Sequence, residues 1–431
     1  MSGVLIDLGE VSRGGSRLPA AALPVPPVPY RLLLVLLTAV LLASLAGSGA
    51  RAEPASPAVI PAALGDAIRV VGDRLFVIGR DAAEGERTIR AYALPDATLL
   101  SEHTVAVSGD VLNVDVAGDL LLVTVQEERT VRFGTIALRS GIDQPLWQRP
   151  VQLQGVSAAE GLALVRQEGA AFGDAEWQGV DLRTGKARWT VRQGDRDDVG
   201  VSSYTGGYPK WLYILTGDGR LVARDTRTGR VVAAVPVPER RDVATSLWPA
   251  GDLVLIGAGG SGTTGYDITT GLEPRWHTGM NLSWYRGPAQ CGNLICAFLP
   301  QRGILVIDPA SGRERWSSDR WDYAERIGDR LLTGMPGTAY PRLYVLDPET
   351  GDVLADMGLW QSAGPGPEPG TAYVRRTTSG EDRLWYGVLH LDRLRIRVLG
   401  AADRVAGDCH FTAGVLVCRR VDASIGVWRL R

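Results

Sequence analysis

The residue types best suited to chemistry are few and scattered. Four cysteines form two close pairs, Cys291 with Cys296 and Cys409 with Cys418. Such pairs hold a metal, cycle between redox states or close a disulfide, and the compartment decides which. The four histidines, His103, His277, His390 and His410, stand apart, and no His-x-x-x-His or Cys-x-x-Cys spacing offers a zinc site. Gly257 to Gly265 (GAGGSGTTG) has the look of a phosphate loop, but no lysine follows it and no helix can start there. Its place between a strand ending at Ile256 and a turn beginning at Asp267 makes it a hairpin.

The compartment follows from the N-terminus. Leu32 to Gly47 is an uninterrupted apolar run with eight leucines. Its Leu and Val residues alone favour membrane entry by roughly 3–6 kcal/mol. As a helix, extended to Ala50, the run reaches about 28 Å, just enough for a hydrocarbon core of ~30 Å. Arg13, Arg17 and Arg31 precede it and only Arg51 closely follows, which places the N-terminus inside and the rest outside. The expected organisation is a disordered cytoplasmic tail at 1–30, a single transmembrane signal anchor at 31–50, a linker at 51–65 that holds a ring-closing strand, and a repeat domain at 66–431. The alternative is secretion after cleavage near Ala52, because Ala50-Arg51-Ala52 fits a signal-peptidase site. Within the tail, Ala22 to Pro29 reads as a polyproline II spacer, and the apolar-acidic patch Gly3 to Val11 as docking for a cytoplasmic partner.

Composition agrees with many short strands and turns: 53 glycines, 25 prolines and 45% apolar residues in 431. The net charge of −2 provides no basic face for nucleic acid.

The elements that position these residues are repeats. One phrase recurs five times: Asp181 to Gly185, Asp225 to Gly229, Asp267 to Gly271, Asp308 to Gly312 and Asp347 to Gly351, each Asp-x-x-Thr/Ser-Gly. Successive aspartates are 44, 42, 41 and 39 residues apart, a period that means a propeller or solenoid. Degenerate copies lie near Ala137 and Ala93. In each phrase the carboxylate accepts from backbone N–H groups just ahead, Thr or Ser reinforces the turn, and Gly takes the positive φ that sends the chain back into an antiparallel strand. A second signal, Gly-Asp-x-Leu or a variant, precedes each turn by fifteen to twenty residues, as at Gly251 and Gly328. Each unit is therefore two linked hairpins, a four-stranded sheet that buries both faces only by stacking around an axis. Trp147, Trp189, Trp276 and Trp316 follow their turn glycines by four to six residues, where an indole would wedge between adjacent sheets, burying about 150–250 Å².

Asp-x-x-Thr-Gly-x-x-x-Trp, preceded by Leu-Tyr-Val-Leu or Gly-Val, resembles the repeat of the pyrroloquinoline-quinone-type propellers, over about residues 66–431. The resemblance implies an all-β, eight-bladed propeller of four-stranded antiparallel blades; strand and turn signals read as eight or nine units, and eight is the expectation. The final strands, Gly414–Cys418 and Gly426–Leu430, are expected to close the ring against a strand from 55–65. On this reading, Ser362 to Gly370 (SAGPGPEPG) is a flexible insertion. Quinoprotein dehydrogenases of the family use a vicinal Cys-Cys ring and a Glu/Asn/Asp calcium site. This chain has no Cys-Cys and no matching set, so the expectation is no catalytic residue, no cofactor and no metal. The family's assembly scaffold carries a lipoprotein cysteine after its signal, and none stands here.

Leu294-Ile-Cys296 matches Leu416-Val-Cys418, so the cysteine pairs occupy equivalent places in two units. Outside the membrane, disulfides Cys291–Cys296 and Cys409–Cys418 are expected, with free buried thiols or cross-pairing as alternatives. The functional expectation is a non-catalytic extracytoplasmic scaffold at the cytoplasmic membrane, binding a protein or cell-envelope ligand. A quinone-binding oxidoreductase, or an enzyme or sensor acting on envelope glycans, is the alternative.

Overall fold

In the computed structural model the described residues are 57–79, 85–107, 109–127, 132–139, 142–169, 173–202, 207–238, 245–258, 262–282, 286–299, 303–321, 323–334, 342–377, 382–412 and 414–430. The chain divides into two units, Met1–Glu53 and Pro54–Arg431. The first lies outside the described residues, and with it the expected tail, its Gly3 to Val11 patch and the apolar run.

Among the described residues the second unit is nine four-stranded antiparallel sheets, each drawn from one stretch of chain except the last. We number these blades 1 (67–106), 2 (109–149), 3 (152–193), 4 (198–236), 5 (245–278), 6 (286–318), 7 (324–356), 8 (361–403) and 9 (405–429 plus Ala58–Ile60). In neighbouring blades the first strands touch, as Asp198–Val201 does Thr245–Ala250, so the first strands lie next to the axis. The second and third strands carry unbroken apolar runs, such as Leu212–Leu215 and Gly303–Ile307, because both of their faces are buried.

Nine apolar clusters fill the seams among the described residues, one for each pair of neighbouring blades. Blade 9 meets blade 1 through Ile60, Ile425 and Val427 against Ile68, Leu75 and Val77, so the ring is closed. Each fully buried Leu, Ile or Val here is worth roughly 1.5–3 kcal/mol over leaving it in water.

Nine blades correct the expected eight, and two residue-level facts explain the difference. Ser362 to Gly370 is no flexible insertion. Gln361–Pro365 is the first strand of blade 8 and pairs with Thr371–Thr377, with a bulge between Ser362 and Pro365. Its glycine and proline are tolerated because a first strand is an edge strand. Blade 9, in turn, has no third turn to count. Its fourth strand, Ala58–Ile60, comes from the opposite end of the chain and pairs with Ile425–Arg429 (Val59 opposite Gly426). Blade 9 thus lacks the turn between third and fourth strands on which the repeat count relied.

Arg419 fastens this closure. Its guanidinium is buried and donates to the carbonyls of Ala63, Asp66 and Ala423, and to the Asp408 carboxylate at 3.1 Å. It thereby ties blade 9 to the segment that leads into blade 1.

The expected N-terminal transmembrane helix also needs correction as a described feature. Among the described residues no helix is long and apolar enough to cross a membrane, and residues 31–50 lie outside them.

Candidate functional site

The recurrent aspartates build turns between the third and fourth strands. Asp181 Oδ1 accepts from the amides of Arg183 (3.1 Å) and Thr184 (3.0 Å) and from the Thr184 hydroxyl (3.0 Å). Asp225 repeats this with Arg227 and Thr228. Asp308 accepts from the Ala310 amide and the Ser311 hydroxyl, and Asp347 from the amides of Glu349 and Thr350. Asp267 differs: its carboxylate caps a short 3-10 turn, Ile268–Thr270, by accepting from Thr269. The glycines that follow, Gly185, Gly229, Gly271, Gly312 and Gly351, all have φ between 65° and 83°.

The Arg188 guanidinium, 2.7 Å from Asp181, acts against modest desolvation and together with Thr184 holds that carboxyl at about 2. Backbone donation from Ala310 likewise lowers Asp308. These carboxylates are ionised and occupied.

The four tryptophans each reach into the next blade. Trp147 donates its indole N–H to Leu182 (2.8 Å), Trp189 to Thr226 (3.0 Å), Trp276 to Pro309 (2.8 Å) and Trp316 to Pro348 (2.9 Å). Every acceptor is the carbonyl of the residue directly after a turn aspartate. The indole ring then lies on the turn glycine of that same neighbouring blade. A Cβ on Gly229 would come within 2.7 Å of Trp189, and one on Gly351 within 2.7 Å of Trp316. The turn glycine therefore serves two needs, a left-handed φ and a bare surface for the neighbour's indole.

Blade 4 has Ala233 where its neighbours have tryptophan, and it pairs with Ala223 as Trp189 does with Gly179. The turn it faces is the irregular one of blade 5. There Leu272, with φ 70°, is fully buried beside Ile268 and fills the space an indole would take.

Cys291 and Cys296 are joined across the turn at Gly292-Asn293, with Cα atoms 5.8 Å apart. Cys409 and Cys418 are joined across the first two strands of blade 9, 4.2 Å apart. Both bonds staple a first strand to the second strand of its own blade, one in blade 6 and one in blade 9.

The histidines are dispersed. His103 is buried in blade 1, and His277 Nδ1 pairs with the Thr264 hydroxyl in blade 5. His390 ends the third strand of blade 8. No group of three His, Cys, Asp or Glu residues could hold a metal among the described residues. The glycine-rich stretch lies on a hairpin, with Leu253–Ala258 paired to Gly262–Asp267.

His410 has a more specific setting, which the repeat pattern does not signal. It lines a cavity of about 260 Å³ where the first strands of blades 8, 9 and 1 meet, beside Arg375, Phe411 and Thr412. Burial pushes its imidazole below the usual range. Asp408 opposes this, and the charges of Arg69 and Arg375 add to it. A second cavity, of about 270 Å³, lies between blades 2 and 3 beside Phe133, Arg166 and Glu168. Arg166 and Glu168 are paired with each other there.

Residues 85–318 match the model of a PQQ-type repeat family described as outer membrane protein assembly factor BamB. The chain belongs to this family. The match spans the four tryptophans and four of the five intact turn phrases, and blades 2 through 6 lie wholly within it. No curated protein matches the chain. Among solved structures it is similar to BamB from Moraxella catarrhalis, at 15% identity and a TM-score of 0.43, covering 88% of this chain and 98% of that one. It is also similar to the computationally designed Ika8 protein, at 14% identity and a TM-score of 0.41, with the same coverage. A chain of a mitotic checkpoint complex is matched at 12% identity and a TM-score of 0.36, covering 63% and 87%.

Proposed function

We propose that this BamB-like propeller is a non-catalytic binding module, held at the outer face of the cytoplasmic membrane and presenting its rim loops to a protein partner. The observation that carries this reading is where the repeated polar side chains go. The turn aspartates are taken up by their own turns, and the four tryptophans by the seams. The repeats thus supply a rigid frame, and variety is left to the loops on the two rims, the arrangement that lets scaffolds bind. The family described as an outer membrane protein assembly factor supports a protein as partner over a small substrate.

Two features support an extracytoplasmic location. Both cysteine pairs are joined, which suits an oxidising compartment. The run Leu32 to Gly47, with arginines ahead of it, suits export.

Proximity labelling from the full chain in its native membrane tests the proposal. Repeated recovery of one envelope protein, abolished by charge reversal in rim loops, is the expected result. Dye reduction by the purified chain with pyrroloquinoline quinone and calcium would overturn it.

A further inference from the structure

We propose that the cavity beside His410 is a binding site for a small carboxylate, gripped by Arg375 and His410, with Phe411, Val70 and Ala363 completing a mostly polar lining. The site is independent of whatever the rims bind. Three blades build it: Ala363 and Arg375 come from blade 8, His410, Phe411 and Thr412 from blade 9, and Val70 from blade 1. It exists only because the ring closes.

The charge balance asks for an anion. Among the described residues no acidic side chain lines the cavity. Asp408, whose charge acts on His410, is engaged by Arg419 at 3.1 Å. Arg375 is half-buried, and among the described residues its one hydrogen bond runs from Nε to the Gln361 side chain at 3.3 Å. Its two terminal nitrogens therefore remain to donate. A half-buried guanidinium without a counter-ion is costly, and a planar two-oxygen anion matches its fork with two parallel bonds. His410 supplies a further ring nitrogen. Thr412 donates its hydroxyl to the Gly72 carbonyl at 2.9 Å, which leaves its oxygen only to accept. The volume, about 260 Å³, suits a molecule the size of benzoate.

The full chain, purified in detergent with 13C-labelled histidine, tests this by titration with benzoate, benzamide and inorganic phosphate. The His410 signal is identified by its loss in His410→Asn. Benzoate is expected to shift that signal saturably, and benzamide and phosphate to leave it in place. Arg375→Gln should weaken benzoate at least tenfold. Ala363→Leu, which narrows the cavity and touches no charge, should do the same, so the test survives if Arg375→Gln fails to fold. Equal shifts with benzamide, preference for phosphate, or unchanged benzoate binding in Ala363→Leu would each overturn the proposal.

Discussion

The Trp316 indole of blade 6 donates to the Pro348 carbonyl of blade 7 at 2.9 Å, so the outer strand of one blade is bonded to the turn of the next. The same relation holds at Trp147, Trp189 and Trp276. Each turn is thereby stabilised twice, by its own aspartate and by its neighbour's tryptophan. Blade geometry and blade stacking are coupled through a single residue pair.

Replacing Trp316 with Phe keeps most of the ring and removes the donor. The Pro348 carbonyl is left in a buried seam, and the expected loss is about 1–2 kcal/mol. Trp316→Ala should cost about 3–5 kcal/mol. Urea unfolding of the three proteins measures both, and equal losses would mean the hydrogen bond contributes nothing of its own.

Gly351→Ala meets two obstacles, a φ of 76° and the Trp316 ring 2.7 Å from the new Cβ. Only the second disappears in the Trp316→Ala background. A double-mutant cycle should therefore show a coupling of about 1 kcal/mol or more, with the residual cost of Gly351→Ala reporting backbone strain. Strict additivity would show that the two residues do not share the contact.

Asp181 is held at about 2 against an ordinary 3.8, so its carboxylate stabilises the fold fully above pH 4 and progressively less as pH falls toward 2. Asp181→Asn should be less stable than the parent at pH 7, by about 1 kcal/mol, with the gap closing between pH 4 and pH 2. Thermal melts across that range check the sign. A gap that widened on acidification would contradict the assignment.

Non-reducing peptide mapping should recover Cys291 with Cys296 and Cys409 with Cys418. Converting both residues of the blade 9 pair to alanine should lower stability by about 2–3 kcal/mol, the entropy expected of so short a loop. Free thiols at all four positions would count against export as well as against the pairing.

Ile60 is the buried residue of the strand that completes blade 9. Ile60→Ala should cost about 2–5 kcal/mol and release the N-terminal strand before the rest of the ring opens. Hydrogen exchange at Ile425–Arg429 would show it as faster exchange there than in blades 3 to 6.

What the sequence determined by itself is local. Turn chemistry acts over four or five residues, so Asp181 to Gly185 and its four companions could be read directly, as could the hairpins beside them. The cysteine pairs, five and nine residues apart, were legible for the same reason. The repeat period identified stacked sheets, because one sheet with two apolar faces cannot stand alone.

Only the tertiary structure decided what depends on distant parts of the chain meeting. The sequence pointed to a closing strand within 55–65, but its register, Val59 opposite Gly426, was set by the fold, and because that pairing needs no turn the ninth blade left no phrase to count. Ser362 to Gly370 looked like an insertion because an edge strand needs neither alternation nor β-rich residues. Leu272 takes the place of an indole across a seam, and no spacing within one repeat can show a compensation made in the next. The cavity at His410 draws on blades 8, 9 and 1, whose residues lie more than 300 positions apart, from Val70 to Thr412. Local chemistry made the blades, and closure of the ring brought the groups of that site together.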